Sequence, residues 1–357
     1  MVINKRIRHW VTDLVFPALQ LTHVDWLTEP FYSGIGSILM FHRVCPQENT
    51  IRIRGNAGLE VTPDYLDNLV QYLKNENYEF VSLDHVYNYL SGSSQPKKFI
   101  AVTFDDGYAD NYTYAWPILK KWNVPFTIYV TTHFPDGEAI LWWYLLEDVV
   151  LKQDQINWNY GDSIFHLDCK TTWQKEEAFH QLRQFFSSLE EKKLNSGLIS
   201  FFGEQKMDLH EKTRELALNW DQIKEMSRDP LIEFGPHTVS HPTLSQLSET
   251  DAKDEMIQSK KIIESHTGME AKHFSYPFGT NREAGIREFK LAGSCGFKTS
   301  TTTRYGNIFP QHSNQVHSLP RIPVNPIRDG NDPRTMNLWI RGALPCLINK
   351  FRRLPLK

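Results

Sequence analysis

Short apolar runs punctuate this chain, and most are followed by a stretch in which apolar residues recur at helical spacing. Ser37-Ile38-Leu39-Met40-Phe41 is the first such run, and His42 stands at its C-terminal end. An apolar run of this length reads as a buried strand. Thr62-Pro63-Asp64 then marks a helix start, with Thr as N-cap and Pro in the first turn. Leu66, Leu69, Val70 and Leu73 continue it at helical spacing, and Ser82 opens a second, short helix around Val86 and Leu90. Phe99 to Phe104 is the next strand, followed by a helix over about 111–122 and a strand from Pro125 to Val130. From about 133 to 218 the rhythm is lost, and charged helical stretches predict an insertion of helices that can serve as a lid or cap. The rhythm returns with a helix at about 219–228 and the strand Leu231-Ile232-Glu233-Phe234-Gly235. Ser248-Glu249-Thr250-Asp251 resembles a capping box and opens a long helix to about 267. Strand 272–276, helix 282–292, strand 297–301 and a last strand at Arg321-Ile322-Pro323-Val324 complete the series. Strands alternating with helices imply a parallel sheet, either open or closed as a barrel.

Composition narrows this little. The 357 residues suffice for one large α/β domain or two ordinary ones. A net charge of -3 gives no overall pull toward nucleic acid, and none is expected as a partner. The 10 Trp and 14 Tyr suit a carbohydrate-handling protein and equally suit ordinary core use. Cys45, Cys169, Cys295 and Cys346 show no paired spacing, so reduced thiols are expected. The basic N-terminus lacks a clean signal-peptide core, because Asp13 and Pro17 interrupt it, and the default location is the cytoplasm. Residues 1–20 and 338–357 mix basic residues with Trp10, Phe16, Trp339 and Phe351. Such segments either lie on the inner, anionic membrane surface or dock on the domain as terminal helices; the sequence leaves both open.

The chemistry concentrates at strand ends. Thr103-Phe104-Asp105-Asp106-Gly107-Tyr108 puts two adjacent carboxylates at the end of a buried strand. Burying both is costly unless a cation or a reaction requires them. An Asp-Gly turn would account for one of them without any catalysis. Far downstream, His237 and His241 have the i, i+4 offset that can grip one metal ion. Two imidazoles and one carboxylate suit zinc, although cobalt or manganese also fits.

These segments, with Ser275-Tyr276-Pro277-Phe278-Gly279, resemble the first three motifs of the polysaccharide deacetylases, the NodB-homology domain of carbohydrate esterase family 4. The resemblance covers roughly residues 36–132 and 219–325. It implies a distorted (β/α)7 barrel and removal of N- or O-acetyl groups from sugars with a divalent metal. Carried over residue by residue, it makes Asp105 the general base and Asp106, His237 and His241 the metal ligands. The backbone N–H of Phe278, after Pro277 and Tyr276, becomes the oxyanion donor. Trp143 in the insertion either stacks on a sugar ring or anchors the insertion.

The chain also departs from the family pattern. Ser275 stands where the third motif has the Arg that orients the catalytic Asp, and Arg321 on the last strand is the expected substitute. Leu319-Pro320-Arg321 replaces the Leu-x-His motif that usually supplies the acid. In a permuted subgroup that His lies on the first strand, and Met40-Phe41-His42-Arg43-Val44 looks like it. His42 is therefore the expected acid, with His317 as runner-up. The expected organisation is an N-terminal extension over 1–35, a catalytic domain over 36–325 carrying the insertion at about 133–218, and a basic C-terminal extension over 326–357. The expected activity is N-deacetylation of a sugar, favouring an intracellular nucleotide- or lipid-linked precursor in surface-polysaccharide assembly. The rivals are a non-catalytic glycan-binding protein that kept the fold, and a deformylase or other amidohydrolase.

Overall fold

The computed structural model describes residues 24–47, 51–93 and 97–354. Seven parallel strands form its centre: β1 (Gly36–Phe41), β2 (Phe99–Phe104), β3 (Phe126–Val130), β4 (Ile232–Pro236), β5 (His273–Ser275), β6 (Thr299–Tyr305) and β7 (Leu319–Pro323). Their order is β5-β6-β7-β1-β2-β3-β4, and a short strand, Glu79–Phe80, pairs with the start of β2. Leu39 pairs with both Val102 and Ile322, so β1 lies at the middle of the sheet. Every residue of β1, β2 and β3 is buried, as in a sheet covered on both faces.

The ladder stops between β4 and β5, yet the two strands touch. A Cβ added to Gly235 would meet the His273 carbonyl oxygen at 2.3 Å, so only glycine lets them approach. The His237 imidazole closes the seam, its Nδ1 lying 2.7 Å from the Ser275 carbonyl oxygen. The sheet is thus a nearly closed (β/α)7 barrel, as expected, with its strand C-termini converging at one end. The helix starts also stand where their caps put them. Thr62 Oγ1 accepts from the Tyr65 N–H at the head of Pro63–Asn75, and Ser248 caps Glu249–Thr267.

The insertion differs from the all-helical expectation. Its helices Trp142–Lys152, Thr172–Ser188, Glu191–Glu204 and Glu211–Leu216 are joined by an antiparallel hairpin, Gln155–Tyr160 with Ser163–Asp168. Ile156 and Trp158 point inward between exposed neighbours, a period-two pattern too short to stand out beside the long helices. Trp158 packs against Phe201 at 5.0 Å and Phe186 at 5.5 Å, giving the insertion an aromatic core of its own.

The first and last described helices meet on one side. Helix Val24–Tyr32 lies against helix Ala343–Ile348, tied by Tyr32 Oη donating to the Phe351 carbonyl at 3.2 Å and by Arg341 pairing with Asp25 at 3.3 Å. Leu338, Trp339 and Ile340 are buried, with Trp339 packed on Tyr305. The outward face is different. Trp26, Leu27, Pro30 and Phe31 form an exposed apolar stripe, and Leu347, Ile348 and Phe351 are exposed beside Lys350, Arg352 and Arg353. The basic segment 1–20 falls outside the described residues. No helix among the described residues is long and apolar enough to cross a membrane.

Candidate active site

The end of β2 delivers its two carboxylates in different directions because the backbone turns sharply. Asp106 has φ +76° and Gly107 φ +90°. Thr238, His241 and Phe278 also lie in the left-handed region, at φ +70°, +62° and +59°. Non-glycine residues there cost about 1–3 kcal/mol each and persist where the surroundings over-determine them, characteristically at functional sites.

Asp106 Oδ1 lies 3.5 Å from His237 Nε2 and 3.5 Å from His241 Nε2. Donors about 2.1 Å from a tetrahedral zinc are separated by about 3.4 Å, so the three atoms already stand near the corners such an ion needs. His237 Nδ1 faces the Ser275 carbonyl, which fixes its N–H there and leaves Nε2 as a free donor. Burial pushes the His237 imidazole down to about 4, so it is neutral at physiological pH, the state that ligates. Burial alone would raise the Asp106 carboxyl, but His241 and His42 outweigh it and hold it well below the usual carboxylate range. The donor set therefore fits a divalent cation. Glu255, on helix Glu249–Thr267, holds the His loop by accepting from the N–H groups of Val239 at 2.7 Å and Ser240 at 3.1 Å.

Asp105 stands beside this set on a different partner. Arg321 grips it with two parallel bonds, Nη1 to Oδ1 at 2.7 Å and Nη2 to Oδ2 at 2.6 Å. The guanidinium is fully buried and also donates to Ser275 Oγ at 3.0 Å, Thr103 Oγ1 at 3.2 Å and the Thr302 carbonyl at 3.0 Å. Burial works against ionisation of Asp105, and Arg321 outweighs it, so the carboxyl is held below its usual range. Arg321 thus lies within hydrogen-bonding reach of both Asp105 oxygens. Ser275, too small to fill that space, becomes one of its acceptors.

The other expected residues divide. His42 follows Phe41 at the end of β1, whose partner across the sheet is Phe104, just before Asp105, and its carbonyl accepts from Asn111 Nδ2 at 2.9 Å. The Phe278 ring packs on His241 at 4.8 Å and the Trp143 ring at 5.8 Å, the second coming from the insertion. Tyr276 is not brought to the site. Its ring is fully buried among Phe274 and Phe289, and its hydroxyl donates to the His317 carbonyl at 2.9 Å. Strand alternation turns it outward, because Ser275 before it faces the interior. His317 is likewise outside, packed against Gly293 on helix Ile286–Ser294. Glu255 was missed by sequence reasoning, since one Glu on a charged helix carries no signal.

Known proteins share this fold. The polysaccharide deacetylase family model matches residues 92–298, more than half the chain. The Bacillus subtilis protein named "Putative polysaccharide deacetylase YxkH" is 23% identical over 295 residues, covering 82% of this chain and 73% of that protein. Among solved structures, the Streptococcus pyogenes deacetylase PplD in complex with acetate superimposes with a TM-score of 0.55 at 22% identity, covering 85% of this chain and 97% of that one. IcaB from Ammonifex degensii gives a TM-score of 0.52 at 19% identity, covering 86% and 97%. These likenesses establish the barrel, and the family match establishes a hydrolytic deacetylase: the chain belongs to the polysaccharide deacetylase family.

Proposed function

We propose that this protein is a divalent-metal-dependent N-deacetylase acting on an acetamido sugar of a lipid-linked glycan precursor. The observation that carries the reading is a buried carboxylate, Asp105, held by Arg321 beside the Asp106, His237 and His241 donor set. A cation bound by those three residues would polarise the acetyl carbonyl and acidify a water. Asp105, oriented by Arg321 and not itself among the ligands, takes the water's proton as it attacks the carbonyl carbon. The Phe278 N–H steadies the oxyanion of the tetrahedral intermediate. His42 then gives a proton to the departing sugar nitrogen, so that the C–N bond breaks and acetate and the free amine leave. Without that proton the intermediate would expel hydroxide in preference to the amine. Trp143, beside His241, forms part of the wall against which the sugar lies.

The choice of a lipid-linked precursor rests on the terminal helices. The exposed stripe Trp26, Leu27, Pro30 and Phe31, together with exposed Lys350, Arg352 and Arg353 after the helix packed on Val24–Tyr32, would suit an anionic bilayer surface in both its apolar and its charged parts. Segment 1–20, which precedes Val24–Tyr32 in the sequence, adds Lys5, Arg6 and Arg8.

The test of the activity is acetate release from a panel of nucleotide-, lipid- and polymer-linked N-acetyl sugars with added zinc, cobalt or manganese. No release with any metal, from protein that retains the metal, would make the protein a binder and end the enzyme reading. For the surface, co-sedimentation with phosphatidylserine vesicles is expected, released by high salt and weakened in Trp26→Ser/Phe31→Ser. Self-association without lipid, abolished by the same changes, would assign the stripe to a second copy of the chain instead.

A further inference from the structure

The inserted segment reaches the proposed acid through an unbroken file of paired charges. Helix Trp142–Lys152 carries Glu147, whose side chain is 4% exposed. Its carboxylate accepts from Arg52 Nε at 2.9 Å, the Ile53 N–H at 2.8 Å and Asn56 Nδ2 at 2.8 Å. Arg52 in turn grips Glu60 through both terminal nitrogens, at 2.8 and 2.7 Å. Glu60 accepts from Arg43 Nη1 at 3.2 Å, and Arg43 Nε donates to Asp110 Oδ2 at 2.7 Å. Asp110 Oδ1 takes the Val44 N–H at 3.0 Å, and its neighbour Asn111, which opens a single π-helical turn, donates to the His42 carbonyl at 2.9 Å. The His42–Val44 backbone is therefore clamped at both ends by this file. Signs alternate along it: three carboxylates and two guanidiniums, in which each inner member satisfies two neighbours.

A file of this kind has two stakes. Buried charges that lose one partner are penalised far more than surface pairs, so a change at Glu147 is felt at Arg52 and Glu60 and passed on to Arg43. At the far end, the segment being held is the one from which His42 projects. Simple attachment of the insertion does not require it, because Tyr108, Phe134 and Trp143 already bury an apolar contact between insertion and barrel.

We propose that the insertion positions the proton donor: Glu147, acting through Arg52, Glu60, Arg43 and Asp110, fixes the end of β1 so that His42 meets the leaving nitrogen. Glu147 is a positioning residue, and the proposal rests on the assignment of His42 as acid.

The experiment is a double-mutant cycle of Glu147→Ala and His42→Ala in the zinc-loaded full chain. It is read on the N-acetyl sugar of the panel above that releases most acetate, whose amine leaves only when protonated, and on para-nitrophenyl acetate, whose phenolate does not need the proton. Glu147→Ala should lower kcat on the amide by about tenfold or more and leave KM and ester turnover within about twofold. In the His42→Ala background it should cost nothing further, because both changes remove one function. Hydrogen exchange at Arg43 and Val44 should quicken in Glu147→Ala. Losses that multiply in the double variant, equal losses on amide and ester, or unchanged exchange would each overturn the proposal while leaving an impaired His42→Ala as evidence for the acid. His42→Ala at native rate on the amide would dispose of the acid assignment and the proposal together. Should Glu147→Ala fail to fold, Glu147→Gln, which keeps the shape and removes the charge, runs the same cycle.

Discussion

Replacing Arg321 tests the least conventional part of the site. Its guanidinium is fully buried and makes two bonds to Asp105 and one each to Ser275, Thr103 and Thr302. Arg321→Ala leaves the Asp105 carboxylate buried without its cation. Breaking a buried pair in this way costs about 3–5 kcal/mol, a large share of the roughly 5–15 kcal/mol available to a domain. Urea unfolding should register that loss. The chemical consequence is larger in proportion. Freed of Arg321, Asp105 keeps burial as its largest influence, opposed by His237 and His42 alone, and the balance moves toward the protonated form that cannot accept a proton. Acetate release should then fall by about 10²–10⁴-fold, the usual worth of a general base. Arg321→Lys, which keeps the charge but cannot grip both oxygens, should be intermediate in both assays and serves if the Ala variant does not fold. The decisive arm is relocation. Ser275 Oγ lies 3.0 Å from Arg321 Nη2, so Ser275→Arg with Arg321→Ala returns a guanidinium to the same space from the neighbouring region of the barrel. That double variant should recover at least about tenfold of the lost turnover. Native acetate release by a folded Arg321→Ala protein would refute the reasoning outright.

Three further outcomes follow from the geometry. His237→Ala should fail to retain stoichiometric zinc on gel filtration, read by elemental analysis, while keeping its circular dichroism. Gly235→Ala should destabilise by about 1–3 kcal/mol or more in urea, since its Cβ would meet the His273 carbonyl at 2.3 Å and force the β4–β5 seam apart. His312 is 1% exposed, and burial pushes its imidazole down to about 4. Between that value and the ordinary histidine range near 6.5 the unfolded chain binds a proton that the folded one does not. Stability should therefore fall as pH drops from about 6.5 to 4, by up to about 3 kcal/mol from this residue. His312→Asn, which keeps an acceptor for the Phe309 N–H, should flatten that part of the profile relative to the native protein.

The barrel was legible because its signals are local. Gly36–Phe41 and Phe99–Phe104 are apolar but for Ser37 and Thr103, as suits strands covered on both faces, and Thr62 and Ser248 announce helices by chemistry acting over three residues. The paired carboxylates and the His pair were legible for the same reason, since each is a short spacing within one loop. The insertion's hairpin was hidden because Ile156 and Trp158 give only two inward positions amid strongly helical neighbours. The left-handed backbone at Asp106, His241 and Phe278 left no mark, since none of these is a glycine. Glu147 and Glu255 were invisible for a different reason. Each reads as one more acidic residue on a helix, and what distinguishes Glu147 is a partner 95 positions away.

Arg321 shows how a site can be recovered when its motif is broken. The requirement at Asp105 is physical: a buried carboxylate needs a cation of fixed geometry within hydrogen-bonding distance. It does not specify which strand supplies that cation. In a barrel the strands converge on one interior, so β5 and β7 present side chains to the same space although 46 residues separate Ser275 from Arg321. A small residue on β5 opens room that a long one on β7 fills, and the serine hydroxyl then serves as an acceptor for the incoming guanidinium. The proposal for His42 follows the same logic, with β1 supplying the imidazole in place of the His motif missing after β7. Judged motif by motif, the chain looks like a deacetylase that has lost two catalytic parts. Judged by what faces Asp105, the guanidinium is in place. The absence of an expected residue from its expected strand is therefore weak evidence against activity until the opposite wall of the barrel has been searched for a residue of the same charge and reach.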